Sequence, residues 1–328
     1  MRFIVLGAGA IGGVVGGRLA QHGHDVVLIA RGAHYEAIRD KGLHIESPDD
    51  AVTVKIAVVD DPASISWTSD DVLLLATKTQ DTEGALAALA SAPNTLPIFC
   101  AQNGVANERM ASERFADVYG VFVWCPADYL TPGHVQVWCA PQSGILHLGC
   151  YPSGSNAIAE NVASALRAST FYADPKPEIM RWKYRKLLSN LGNAVDALCG
   201  AAARGSGIAQ RARREGVACL EAAGISFVGD DEEDAARLER EVHPRTMRGV
   251  ERRGGSSWQS LERRLGTIET DYLNGEIVRL GQQYGVPTPV NALLQYLSQR
   301  VARERRPPGS VNPDKILIAL DLRQNPVQ

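Results

Sequence analysis

No stretch of the 328-residue chain holds the roughly 20 consecutive apolar residues that a helix needs to cross a bilayer, so the sequence predicts no membrane span. An excess of positive charge is also missing. Lys and Arg number 34 against 37 Asp and Glu, a net charge of −3, which argues against nucleic acid as a partner. Cysteines are few, and Cys100, Cys125, Cys139, Cys150, Cys199 and Cys219 form no C-x-x-C pair and no Cys/His cluster. That pattern predicts reduced thiols in a cytoplasmic protein and no metal site. The seven histidines lack metal-ligand spacing as well. The N-terminus, MRFIVLGAGAIGG, runs from a short apolar stretch straight into glycines with no small-residue cleavage site, and reads as a first strand rather than a signal peptide.

What is present is the composition of an ordinary globular protein, 45% apolar and 22% charged, at a length that suits two domains. In the first half, short apolar runs alternate with helical patterns: RFIVLG (2–7), DVVLIA (25–30), DVLLLAT (71–77) and LPIFCAQ (96–102). Such near-continuous runs suit parallel strands buried on both faces. DVYGVFVWC (117–125), HVQVWCA (134–140) and GILHLGC (144–150) follow, the last of them joined by turn-rich links and predicted as antiparallel additions at one edge. PKPEIM (175–180) carries two prolines and reads as a linker. Beyond it come helical patterns at 180–200, 206–223, 230–242, 259–284 and 289–305, with ILIALDL near the end expected to pack back. The expected fold is α/β: an N-terminal Rossmann-type doubly wound sheet over residues 1–176 and a C-terminal all-α domain over 177–328. A small-molecule site is expected in the cleft between two such domains.

Gly7, Gly9 and Gly12 form G-x-G-x-x-G directly after the first strand and at the start of a helix, enclosing Ala8, Ala10 and Ile11. The first glycine permits a tight turn, the second lets a pyrophosphate approach the backbone, and the third allows close helix–strand packing. This predicts a bound dinucleotide. The second strand ends LIAR, with Arg31 where an NAD enzyme usually places an acid, so the predicted cofactor is NADP. Lys78 follows the strand at 71–77 and Asn103 the strand at 96–101, both at the sheet edge where ligands bind in open α/β folds. In RWKYRKLLSNLGNAVDAL (181–198), Lys186, Asn190 and Asn193 fall at i, i+4 and i+7, one polar stripe on a helix rich in apolar residues.

These pieces together resemble the ketopantoate reductase (2-dehydropantoate 2-reductase) family. The matching segments are GAGAIGG, the Lys of ATKTQ, QNG (102–104), PGHV (132–135), KLLSN (186–190), GGSSWQSLERRLGTIETDYLNG (254–275) and YGVPTPVN (284–291), in the family's order along nearly the whole chain. The resemblance implies reduction of a 2-oxo acid by NADPH, with 2-dehydropantoate as substrate and pantothenate synthesis as the pathway. It implies Lys186 as proton donor, Asn103 in contact with nicotinamide and substrate, and Lys78 and Ala127 along the cofactor. Asn190 and Ser257 would bind substrate, Ser257 at its carboxylate, and Glu269 would lie near the nicotinamide ribose. From the residues themselves, Asn193 and the Ser256–Ser257 pair are further donors for a substrate carboxylate. Asn193 follows Asn190 by three positions where the family has four, the family's proline after it is absent, and SSW stands for the usual SSM. These departures fall on the substrate side. They keep two alternatives open: a sister reductase of another 2-oxo acid or imine, as in opine dehydrogenases, and a catalytically silent NADP-binding regulator. A homodimer is compatible with the sequence, which does not set the oligomeric state. The charge run 230–241 reads as a solvated helix, the four arginines of RTMRGVERRGG (245–255) as a wet loop, and Trp124, Trp138, Trp182 and Trp258 as packing residues.

Overall fold

The computed structural model describes residues 1–200, 203, 206–232 and 242–324, without the side chains of 322–324. The chain divides into two compact units, Met1–Lys183 with Val228–Arg252, and Tyr184–Phe227 with Arg253–Gln328.

The first unit contains strands β1 (Arg2–Leu6), β2 (Asp25–Ile29), β3 (Leu43–Glu46), β4 (Ala51–Val54), β5 (Ala57–Val59) and β6 (Asp71–Leu75). It continues with β7 (Ile98–Cys100), β8 (Val118–Trp124), β9 (Ala127–Thr131), β10 (His134–Val137), β11 (Gly144–Cys150) and β12 (Phe171–Tyr172). Eight of them form one sheet in the order β12-β11-β8-β7-β6-β1-β2-β5. All neighbours run parallel except β8 and β11. The chain leaves β1 toward β2 and β5, then returns to the other side of β1 as β6. The strand order therefore reverses between β1 and β6, which opens a crevice at their C-terminal ends.

Both faces of β1 are buried. Phe3 and Val5 enter one apolar cluster, Ile4 and Leu6 another on the opposite face. At about 1.5–3 kcal/mol for each large apolar side chain buried, the central strands hold the unit together.

Helix α1 (Ala10–Gln21) lies between this sheet and a second one, because its glycines admit neighbours on both sides. A Cβ at Gly16 would come within 2.6 Å of Leu28 in the large sheet. A Cβ at Gly17 would come within 2.5 Å of Ile45, and one at Gly13 within 2.8 Å of Val135, both in the second sheet.

That second sheet has the order β4-β3-β10-β9 and corrects the expected antiparallel edge. DVYGVFVWC and GILHLGC supply β8 and β11 of the large sheet, β11 antiparallel to β8, whereas HVQVWCA supplies β10, parallel to β3 and antiparallel to β9. Apolar β runs identify strands but not the sheet they join, since that depends on partners distant in sequence. Helices α2 (Gly32–Lys41), α3 (Thr82–Ala88), α4 (Asn107–Ser112) and α5 (Ala157–Arg167) complete the covering layers.

The segment read as a linker is part of the sheet edge. Lys176 N–H donates to the Leu148 carbonyl at 2.7 Å, and Gly149 makes room, since a Cβ there would stand 2.1 Å from the Lys176 oxygen. The boundary between units falls later, inside α6 (Ile179–Asn190), and residues 228–252 return to the first unit. Ile179 and Trp182 of α6 pack with Phe122 and Ile145 of the sheet, which is why the helix begins in the first unit. The arginine segment is an exposed loop, as expected, yet most of its arginines are paired. Arg245 pairs with Asp49 at 2.7 Å, Arg248 with Glu46 at 2.9 Å and Arg252 with Asp128 at 2.9 Å, so three of its four arginines are tied to carboxylates of the same unit.

Among its described residues the second unit contains helices and no strand: α7 (Asn193–Cys199), α8 (Ile208–Ala222), α9 (Ser256–Glu262), α10 (Asn274–Tyr284), α11 (Pro289–Arg303) and α12 (Pro313–Gln324). The predicted helix 180–200 breaks after Asn190. The Gly192 carbonyl accepts from Val195 N–H at 3.0 Å and Asp196 N–H at 3.2 Å, starting a new helix with Asn193 at its first position. The predicted helix 259–284 also breaks, because Arg264 and Gly266 take φ of +50° and +78°. ILIALDL does pack back, with Ile316 and Leu320 buried. The charge run 230–241 falls mostly outside the described residues.

A buried polar knot joins three helices of this unit. The Glu215 carboxylate accepts from Val290 and Asn291 N–H at 2.8 and 2.9 Å, capping the first turn of α11. The Asn291 amide donates to Glu215 at 2.7 Å and to the Ala212 carbonyl at 2.9 Å, and accepts from Asn274 at 2.9 Å. No helix among the described residues is long and apolar enough to cross a membrane, and no group of His, Cys, Asp and Glu among them is arranged to hold a metal.

Candidate functional site

The glycine turn shows three different kinds of constraint. Gly7 takes φ +102°, and a Cβ there would stand 2.9 Å from Thr77 N. A Cβ at Gly12 would stand 2.1 Å from the Gly7 carbonyl oxygen, so only glycine lets α1 approach β1 this closely. At Gly9 nothing lies within 4 Å of where a Cβ would be. Gly9 is also the N-cap of α1, with no side-chain cap and no acid in the first turn. The first amides of α1, at Ala10, Ile11 and Gly12, thus present a partial positive charge to an open space that suits a pyrophosphate. Ala8 is buried, its N–H donating to the Ile29 carbonyl at 3.3 Å. These residues fit a dinucleotide.

His34, which the sequence reading did not single out, holds the turn from behind. Its Nε2 lies 2.6 Å from the Ala8 carbonyl, and its Nδ1 accepts from Gly133 N–H at 2.9 Å. The two bonds together fix a neutral ring with the proton on Nε2. The pairing spans 99 residues, so no local pattern announces it.

The sheet order β7-β6-β1-β2 places Asn103, Lys78, the glycine turn and Arg31 in succession along one C-terminal edge. Arg31 is exposed at the N-cap of α2, just past β2. Lys78 is half-buried at the N-cap of a short 3₁₀ turn, Thr79–Asp81. Asn103 is half-buried and precedes Gly104, whose φ of +77° turns the chain sharply. Beneath these residues runs a network the sequence did not reveal. The Gln102 amide donates to the Thr77 carbonyl at 2.9 Å and to Thr82 Oγ1 at 2.8 Å. Asn107 donates to the Asn103 carbonyl at 2.9 Å, and Thr79 Oγ1 reaches the same oxygen at 3.2 Å. Lys183 and Glu108 form a buried ion pair in the same region. The signal available for this layer was the pair Asn107–Glu108 close behind QNG. Ala127 follows the end of β8 by three residues, and β8 runs parallel to β7, so it too lies past this C-terminal edge; it opens β9 of the smaller sheet, with its carbonyl accepting from Arg252 at 3.0 Å.

In the second unit, the break after Asn190 removes Asn193 from the single helical stripe predicted with Lys186. Lys186 is half-buried and Asn190 buried, both on α6. Asn193 instead opens α7 and faces the start of α9. A Cβ at Gly255 would stand 3.7 Å from its Oδ1, and Gly255 N–H donates to Asp196 at 3.4 Å. The neighbouring Ser256 and Ser257 open α9, with Ser257 buried, so this junction gathers Asn193 and the serine pair. Glu269 is buried at the start of the 3₁₀ turn Glu269–Tyr272. Asn274 and Asn291, in motifs that marked the resemblance, serve the structural knot described above.

Trp138 donates to Asp128 at 2.7 Å, and Trp182 packs edge-on to Phe122 with ring centroids 5.5 Å apart, as expected of packing residues. His134 begins β10, 3.2 Å from Glu46, on the smaller sheet.

Comparison with known proteins agrees with this anatomy. Residues 3–153 match the ketopantoate reductase PanE/ApbA family, and residues 178–302 match its C-terminal domain. The chain is 30% identical over 302 residues to a 2-dehydropantoate 2-reductase of Pyrococcus horikoshii, covering 90% of this chain and 95% of that one. It is also 30% identical over 309 residues to the one of Archaeoglobus fulgidus, covering 92% and 97%. The crystal structure of a PanE/ApbA family ketopantoate reductase from Ralstonia eutropha superposes with a TM-score of 0.77 at 28% identity, over 93% of this chain and 99% of that one. A D-mandelate dehydrogenase solved with NADH and anilino(oxo)acetate shares the fold, with a TM-score of 0.78 at 24% identity over 93% and 99%. With both family domains matched in order over most of its length, the chain belongs to the ketopantoate reductase family of oxidoreductases.

Proposed function

We propose that the protein reduces the ketone of a 2-oxo acid with NADPH, that 2-dehydropantoate is the substrate and pantoate the product, and that it works in the cytoplasm as a step of pantothenate synthesis. The observation that supports this reading best is the C-terminal edge of the large sheet. There an uncapped helix start, open at Gly9, stands in line with Arg31, Lys78 and Asn103. Gly7 to Gly12 would hold the pyrophosphate and Arg31 the 2′-phosphate, its guanidinium matching a phosphate's paired oxygens. Lys78 and Asn103 would lie along the cofactor, with Ala127 and Glu269 as further neighbours carried over from the family. When bound, NADPH supplies the hydride to the carbonyl carbon.

The protein's own share is electrostatic. Negative charge develops on the ketone oxygen, and a positioned ammonium lowers that barrier by donating a proton to it. Lys186 takes this role. Asn190, Asn193 and Ser257 are neutral donors suited to the substrate carboxylate and hydroxyl. The six cysteines are unpaired, which suits a reducing compartment. A homodimer is the assembly we expect, to be read by sedimentation velocity.

The break at Leu191–Gly192 favours a second reading on the substrate side, a reductase of a different 2-oxo acid, because it displaces Asn193 from the face that carries Asn190. Consumption of NADPH, followed by absorbance across a panel of 2-oxo acids with and without amines, separates the two. Tight NADPH binding without turnover on any panel member would leave only a nucleotide-binding regulator. Lys186→Ala is expected to lower kcat at least tenfold while the Kd for NADPH changes by less than threefold. A variant as active as the parent refutes the proton-donor role.

A further inference from the structure

The buried ion pair between Lys183 and Glu108 has no place in the chemistry above, yet the fold retains it at high cost. The side chains are 2% and 0% exposed. Burying two charges is expensive, and well-packed apolar residues in their place are often as stable or more so. Burial pushes the Glu108 carboxyl above its usual range, against the pull of the ammonium beside it. One carboxylate oxygen, Glu108 Oε2, has no hydrogen-bond partner. Stability alone is therefore a poor reason for the pair.

Lys183 does something no apolar residue can do. Its ammonium has three protons. One goes to Glu108, one to the Gln102 carbonyl at 3.0 Å, and the third approaches the Cys100 carbonyl at 3.4 Å. Strand β7 ends at Cys100, and a last rung runs from Ala101 N–H to the Leu75 carbonyl at 2.9 Å. The Gln102 carbonyl lies past that rung, and Lys183 supplies its donor. The next carbonyl, of Asn103, is held from elsewhere by Asn107 and Thr79. Two successive peptide planes are thus fixed on either side of the Asn103 α-carbon. Asn107 and Glu108 are consecutive residues at the start of α4, so one helix end serves both anchors.

We propose that Lys183 and Glu108 are positioning residues for Asn103: the pair clamps the backbone from Cys100 to Gln102 so that the Asn103 side chain is presented in one orientation. This rests on the reading of Asn103 as a contact to nicotinamide and substrate.

Removing one partner alone would strand a buried charge, so the test uses the double variant Lys183→Met/Glu108→Leu, with Lys183→Gln/Glu108→Gln as the conservative form. Hydrogen exchange of the cofactor-free protein, read on peptides spanning 100–107, is the first measurement. The apolar variant should exchange there at least tenfold faster, with other segments and the thermal midpoint little changed, and the glutamine pair should restore part of the protection. In steady-state assays with NADPH and 2-dehydropantoate, or the best substrate of the panel, the apolar variant should lose at least tenfold in kcat with a small change in KM. In an Asn103→Ala background the same double variant should cause less than a twofold further loss, because the effect passes through a side chain already gone. Faster exchange throughout the protein, or an unfolded apolar variant accompanied by a glutamine variant with wild-type exchange and kcat, would assign the pair to stability and overturn the proposal. An additive loss in the Asn103→Ala background would overturn it too. If Asn103→Ala itself keeps full activity, the reading of Asn103 fails. Exchange at 100–107 then still decides whether the pair holds the backbone.

Discussion

At the scale of single residues, Gly9 and Gly12 show that one motif contains positions of opposite kinds. Gly12 is glycine because a backbone oxygen would lie 2.1 Å from any Cβ, whereas Gly9 faces open space, which the proposed cofactor would fill. Alanine at Gly12 is expected to displace α1 from β1, and alanine at Gly9 to weaken cofactor binding if the proposed reading holds. Arg31 carries the question of cofactor choice. In the arginine cluster 245–255 of the same unit, Arg245, Arg248 and Arg252 are already paired with Asp49, Glu46 and Asp128. Arg31 is exposed at the end of β2, beside the glycine turn. A charge-assisted hydrogen bond contributes about 1.5–3 kcal/mol, or roughly 10- to 100-fold in binding. Arg31→Asp is therefore expected to lower the ratio of kcat/KM for NADPH over NADH at least tenfold. An unchanged ratio places the phosphate on another group.

At the scale of elements, α1 depends on contacts at both its ends. Its N-terminus serves the glycine turn. Near its C-terminus, buried Arg18 forms two bonds to Asp50, at 2.7 and 2.8 Å, and so ties the helix to the turn between β3 and β4. The Arg18 guanidinium holds the Asp50 carboxyl down at about 2, from an ordinary 3.8. A depressed carboxylate stabilises the folded state fully above its unfolded pKa, near 4, and that contribution is lost as pH falls through the folded value near 2. With the Asp50 side chain 40% exposed, solvent screening reduces the effect to about 1 kcal/mol. Asp50→Asn should accordingly lower stability by about that much at pH 7 in urea melts, and the difference from the parent should shrink steadily between pH 4 and pH 2. A constant difference across that range would mean the carboxylate's charge is not what matters. Elements are also where legibility in the sequence divides. Strand ends, the glycine turn and the places of Arg31, Lys78 and Asn103 just past strand ends were readable because each is set by residues close in sequence, whereas their order along the edge comes from the strand order. The break at Gly192 was not, since LSNLGNAV keeps its helical spacing on both sides. Nor was the Lys183–Glu108 pair, whose partners are 75 residues apart and whose meaning depends on where β7 ends.

At the scale of the whole molecule, the six cysteines are distributed through both units, and every one of their thiols is raised by burial. Cys125 and Cys139 are pushed up to about 12 and Cys199 to about 11, Cys100 stands well above its ordinary value, and Cys150 and Cys219 are raised as well. The thiolate is the reactive form. An exposed cysteine with a pKa near 8.5 is about one quarter ionised at pH 8, whereas a thiol near 12 is ionised to about one part in 10⁴. Access adds to this, since Cys100, Cys125, Cys139 and Cys219 are buried and only Cys150 and Cys199 are half-buried. Hydride delivery to a ketone with proton transfer from a lysine needs no thiol nucleophile, and the fold provides none that is activated. Titration of the native protein with a disulfide reagent at pH 8 should therefore show no fast-reacting thiol. Cys150 and Cys199 should react first and slowly, and all six within seconds once guanidinium unfolds the chain. Full alkylation of the two half-buried thiols should leave kcat unchanged. A single thiol reacting at the rate of a free cysteine, with activity lost in step, would bring a cysteine into the site and count against the proposed mechanism, which uses no thiol.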